Sequence, residues 1–94
     1  MTPWRGPTIH YTETPDPPAG HPLFEEWITF RREMPRLLAD GHEGKFVLIK
    51  GSEVIALFDT RDQARDDGLR RFGLRGYCIQ QVLEYEPLYR TRAV

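Results

Sequence analysis

Several residues in this chain are of types that carry chemistry in other proteins. Asp59 closes the apolar run Val54-Ile55-Ala56-Leu57-Phe58 and precedes Thr60. An aspartate so placed can hydrolyse peptides when a second aspartate shares its proton and a tight glycine turn follows the Asp-Thr pair. Here Arg61 stands where that turn needs glycine, and a helix-capping sequence follows at once. Asp59-Thr60 therefore reads as a helix cap. Three histidines, His10, His21 and His42, invite a metal reading. None has a partner at the i, i+4 spacing that sets two ligands on one helix face. Solvated loop positions are the simpler reading, so no metal and no cofactor are expected. Cys78 would need a depressed pKa to act as a nucleophile. In a strand it reads as a buried structural thiol. Ser52, the only serine, sits in a turn and has no nucleophile elbow around it. Gly73-Leu74-Arg75-Gly76 follows a helix instead of opening one, so it offers a phosphate no helix N-terminus. No catalytic residue is expected, and the chain reads as a protein that is not an enzyme.

Arginine clusters make the case for nucleic acid. Arg31, Arg32 and Arg36 fall on one predicted helix; Arg70, Arg71 and Arg75 fall at and beyond the end of another. Against this, acids number 14 and bases 13, and Asp62, Asp66 and Asp67 share the second helix with the arginines. A nucleic-acid binder ordinarily carries a net basic domain. Acids early and bases late in a helix already complement its dipole. Arg70, Arg71 and Arg75 are thus a candidate basic patch, but nucleic acid is the minor alternative.

The elements that must position these residues fill the chain unevenly. Six of eight prolines lie in the first 22 residues, among few apolar side chains. Residues 1–21 read as an extended, disordered arm of polyproline character, with too little apolar area to offset its ordering entropy. Residues 22–90 read as one domain and 91–94 as a tail. A domain of that size is near the lower limit for a self-sufficient core, and self-association is a ready remedy. One cysteine excludes an internal disulfide. No apolar run approaches the roughly 18 residues of a membrane span, and no signal peptide is visible. The expected location is the cytoplasm, with no membrane contact.

A helix is predicted from Pro22 with an apolar stripe of Leu23, Trp27, Phe30, Met34, Leu37 and Leu38. Pro35 should kink or break it. Residues 45–58, KFVLIK-GS-EVIALF, read as a two-residue hairpin pairing Lys50 with Glu53 and Phe46 with Leu57. One face then carries Val47, Ile49, Val54, Ala56 and Phe58, and both faces are apolar, so both should be covered. Thr60 to Gln63 reads as a capping box opening a helix that ends at Gly73. Ala64 and Gly68, small and four apart, let it lie close to the sheet. Residues 77–85 read as a third strand. The expected fold is α+β, an αββαβ domain with an N-terminal helix, a crossover helix and a three-stranded, mostly antiparallel sheet of order 2-1-3.

The run GKFVLIKGSEVIALFDTRDQA, with the flanking FRREMPRLLADGHEGK and RRFGLRGYCIQQVLEYEPLYR, resembles a group of small bacterial proteins of unknown function. The shared pattern is a Gly-Lys-aromatic-Val start, a glycine turn, an Asp-Thr cap and an alanine-bearing crossover helix. The resemblance spans about residues 24–90 and implies a shared fold; it implies no activity. Eleven arginines against two lysines fit a high-GC bacterial genome. The expected function is a protein–protein interaction module, working with a second copy or another protein. Its candidate contacts are Trp4 and Tyr11 on the arm, Phe24, Trp27 and Phe30 on the helix, and Val47, Ile49, Val54 and Phe58 on the sheet. A ligand-binding protein or enzyme with its site at a dimer interface is a further alternative.

Overall fold

The computed structural model of the chain describes residues 6–14, 18–74 and 76–87. The protein is α+β, with two α-helices and two antiparallel sheets among the described residues. The order is β1 (Thr8–His10), a 3-10 turn (Tyr11–Glu13), α1 (Phe24–Ala39), β2 (Phe46–Lys50), β3 (Glu53–Phe58), α2 (Arg61–Phe72), β4 (Cys78–Gln81) and β5 (Tyr85–Pro87). One sheet has strand order β3-β2-β4; the other is the ribbon β1-β5. Both β3 and β4 run antiparallel to β2, so they are parallel to each other and α2 is the crossover between them.

The expected helix-first order is corrected at the N-terminus. Within the described part of the arm, Thr8 pairs Pro87 and His10 pairs Tyr85. Tyr11 then packs against the core, and the Tyr11 N–H donates to the Glu84 carbonyl at 3.0 Å. Arg31 of α1 donates to the Thr14 carbonyl at 2.6 Å. Residues 6–14 are thus a strap across the domain. Strand pairing supplies what composition hides, because a three-residue ribbon needs no apolar period of its own.

α1 runs unbroken through Pro35. A proline removes one N–H from the helical ladder, but Pro35 is on the exposed side, where water can serve the backbone. The buried side carries Phe30, Met34 and Leu37, spaced four and three apart. At its end, the Gly41 N–H donates to Leu38 and the His42 N–H to Leu37, with Gly41 at φ +80°. That paired closure satisfies the last carbonyls and requires a left-handed residue, hence glycine. α2 opens on the expected capping box: Thr60 Oγ1 accepts from the Gln63 N–H at 3.2 Å, and Gln63 accepts from the Thr60 N–H at 3.3 Å.

The hairpin register contains a bulge. Lys50 faces Glu53 and Ile49 faces Val54, but Leu48 then faces Ala56, Val47 faces Leu57 and Phe46 faces Phe58. Ile55 is the extra residue. Strand side chains alternate with period two, so one inserted residue moves everything beyond it to the opposite face. Ala56 and Phe58 therefore share a face with Leu48, and Leu57 joins Val47, Ile49 and Val54. The Val47 face is covered by α1: Val47, Ile49 and Val82 form one cluster with Phe30, Met34 and Leu37, flanked by Tyr11, Trp27, Leu38, Val54 and Leu57. The Leu48 face lies under α2. Ala64 is fully buried there, and the Arg61 guanidinium carbon lies 5.1 Å from the centre of the Phe46 ring. Beyond Gln81 one more pair forms, the Val82 N–H to Lys45 and the Gly44 N–H to Val82, before the chain turns into β5.

Candidate functional site

The order β3-β2-β4 leaves β3 at an edge, paired on one side only by β2 among the described residues. β3 is the longest of the described strands and has no proline and no lysine. Its Glu53 is exposed; Val54 through Phe58 are each half-buried. Beside this edge runs a cleft of about 570 Å³ lined by Lys45, Leu57, Phe58, Asp59, Gln63, Asp66, Asp67 and Arg70. The chain builds it in one stroke: β3 supplies the floor, Asp59 ends the strand, and α2 turns back beside it. Gln63, Asp66, Asp67 and Arg70, at helical spacings of three, four and seven, form the far wall.

The cleft's charges are mostly paired. Lys45 Nζ lies 2.6 Å from an Asp59 carboxylate oxygen. The ammonium's hydrogen bond and charge hold the Asp59 carboxyl below the usual range. Asp67 is buried and accepts from both Arg70 and Arg71, the latter at 2.6 Å. Asp66 is exposed and has no ion-pair partner among the described residues. The site therefore offers an apolar strip, open backbone and one uncommitted carboxylate.

The expected contact residues are scattered by the fold. Val47 and Ile49 are fully buried, and Phe30 nearly so. They are core of a single chain, because α1 covers the face that would otherwise seek a partner. Trp27 and Val54 border that core, with the Trp27 and Phe30 rings edge to face at 6.2 Å. Tyr11 joins the same cluster through the strap. Phe24 is half-buried at the start of α1. Of these, among the described residues, Phe58 alone reaches the cleft, on the sheet face opposite to the one expected. Trp4 and Arg75 lie outside the described residues, as do the tail at 91–94 and part of the proposed arm. Arg70 and Arg71 converge on Asp67, so much of the patch's charge is neutralised where it arises. Sequence reasoning missed Lys45, Ile55, Gln63, Asp66 and Asp67. Helical spacing sets Gln63 and Arg70 on one stripe, but only the edge position of β3 gives that stripe a neighbour.

The other chemistry-bearing residues take structural places. Cys78 is buried, and that burial raises its thiol pKa, the opposite of nucleophile activation. His10 Nδ1 accepts from the Thr12 N–H at 3.3 Å, and its Nε2 lies 3.4 Å from Glu84. His21 Nδ1 accepts from the Leu23 N–H at 3.0 Å, in place of a side-chain cap on α1. Among the described residues no group of three metal-ligating side chains gathers, and no helix is long and apolar enough to cross a membrane. No family model, no curated protein and no solved structure matches the chain.

Proposed function

We propose that this protein is a non-enzymatic interaction module that binds another polypeptide by adding its strand to the edge of β3. The observation that carries the reading is the open edge Glu53–Phe58, with five half-buried apolar residues in a row beside an uncapped cleft. Strand addition supplies affinity through main-chain hydrogen bonds and specificity through alternate side chains. The Leu57–Phe58 floor and the Asp66 wall are the parts able to select. Both sheet faces are already covered by α1 and α2, which leaves the edge as the outlet for the hairpin's remaining apolar surface.

A photoreactive amino acid at position 55 tests this in the expressing cell, with one at exposed Asp40 as the control. Polypeptide adducts should concentrate at position 55. Equal, low labelling at both positions refutes the reading.

A further inference from the structure

Resting on that edge reading, we infer that the polypeptide taken at β3 is the β3 of a second copy, paired antiparallel about a two-fold axis. The charges at the two ends of the strand argue for this occupant. The start of β3 carries the exposed carboxylate of Glu53. Its cross-strand neighbour Lys50 is directed elsewhere, with Nζ 2.9 Å from the Gly76 carbonyl and over the Phe72 ring at 5.0 Å. The far end of β3 is flanked by Lys45, paired with Asp59, and by exposed Arg61, which lies over the Phe46 ring and has no ion-pair partner among the described residues; the corner is net positive. A two-fold axis near Leu57, the centre of the regular stretch Ala56–Phe58, brings each Glu53 to the partner's positive corner at Arg61, twice per dimer. A parallel arrangement would oppose like ends, and a two-fold contact closes after two copies.

The same axis sets the α2 helices side by side, antiparallel, on one face of a continuous six-stranded sheet. Each helix packs across its own β3, β2 and β4 and is centred over β2. Three strand spacings of about 4.8 Å then separate the helix axes by roughly 14 Å. That gap is within the joint reach of an arginine and an aspartate. Asp66 and Arg70 stand four residues apart on the facing stripe, so antiparallel helices bring the uncommitted Asp66 of one copy toward Arg70 of the other. Each cleft becomes half of a shared groove. Natural edges usually block such pairing with lysine, proline or a covering element. On β3 only the bulge at Ile55 acts in that sense. It leaves Ala56–Phe58 as a regular stretch free to pair.

Sedimentation equilibrium of the full chain, over roughly 5 to 500 µM, tests the inference. The unmodified protein should show a monomer–dimer equilibrium. Ile55→Lys should be monomeric throughout, with an unchanged circular dichroism spectrum. Glu53→Arg and Arg61→Glu should each weaken association about tenfold, since each removes two symmetry-related pairs and opposes like charges. The double variant, with both charges exchanged, should restore it. That rescue does not depend on whether Ile55→Lys folds. A chain monomeric at the highest concentration, a dimer indifferent to Ile55→Lys, or a double variant as weak as the single ones overturns the inference. If the chain is monomeric yet position 55 still labels other proteins, strand addition stands and the second copy does not.

Discussion

Replacing Gly68 by alanine should destabilise this protein, although the same change in an ordinary helix interior stabilises by about 1 kcal/mol. Gly68 lies in α2 with no positive φ to protect, so the backbone term favours alanine. The obstacle is a ring. A Cβ at position 68 would sit 2.7 Å from Tyr77 Cε2 and 2.9 Å from its Cζ. Tyr77 is itself held against Phe72, with ring centres 6.1 Å apart. Moving a packed ring costs about 1–3 kcal/mol. The two terms leave a net loss of about 1 kcal/mol, which lowers the melting temperature by about 4–8 °C in a domain of this size. In a Tyr77→Ala background the obstacle is gone, and Gly68→Ala should stabilise by about 1 kcal/mol. Urea unfolding of the four members of this cycle, followed by circular dichroism, measures a coupling of about 2 kcal/mol. Equal effects of Gly68→Ala in both backgrounds would refute the reasoning, because the ring would then not be what requires glycine.

Other substitutions probe the remaining supports. Buried Glu26 accepts from the Gly51 N–H at 2.7 Å, and Thr29 Oγ1 lies 2.8 Å from the Gly51 carbonyl as donor. Glu26→Ala should cost about 1.5–3 kcal/mol and Thr29→Val about 1–2 kcal/mol in urea unfolding, since each leaves a hairpin backbone group unpaired. Cys78 should react with a thiol reagent at pH 8 far more slowly in the folded protein than in urea. Its folded pKa is raised, so its stabilising contribution is complete below the unfolded pKa and is lost as pH rises through the folded one. Thermal melts should therefore fall progressively above about pH 8.5, and a Cys78→Ser variant should flatten that slope. For Asp59 the sign is reversed: its folded pKa is depressed, so the Lys45 pairing is present above the unfolded pKa and lost as pH falls through the folded one. NMR titration of Lys45→Ala should show the Asp59 carboxyl returning toward the ordinary aspartate range.

The sequence is legible where the signal is local. The capping box at Thr60 and Gln63, the Gly51-Ser52 turn and the two small residues of α2 depend on neighbours a few positions away. All are present in the structure. What misleads is what depends on distant partners. The ribbon β1-β5 joins residues almost eighty positions apart, and no periodicity in either three-residue strand announces it. The bulge at Ile55 is equally silent, because an unbroken apolar run looks the same in either register. One such residue moves Phe58 from the α1 face to the α2 face, and with it the only expected contact residue that, among the described residues, reaches the cleft. Pro35 misleads for another reason: a helix tolerates a lost hydrogen bond on its wet side when its dry side carries Phe30, Met34 and Leu37.

The strap also decides which surface is left for a partner. A core of this size needs help, and the aromatic residues of the arm first invite the view that help comes from outside. Tyr11 instead closes over α1 and the Val47 face in the same chain, tied by β1-β5 and by Arg31 to the Thr14 carbonyl. A face satisfied in this way has no reason to recruit a second chain. An edge differs, because its unmet groups are backbone, which side-chain packing over either face does not pair. Tyr11→Ala should therefore destabilise the monomer, by about 2–4 kcal/mol in urea unfolding on the scale of partly buried aromatic truncation, while its folded fraction should dimerise as tightly as the unmodified chain. Stability and association should separate along this line, strap on one side and β3 edge on the other. A Tyr11→Ala variant that keeps its stability but loses association would place the partner surface on the strap and contradict the assignment.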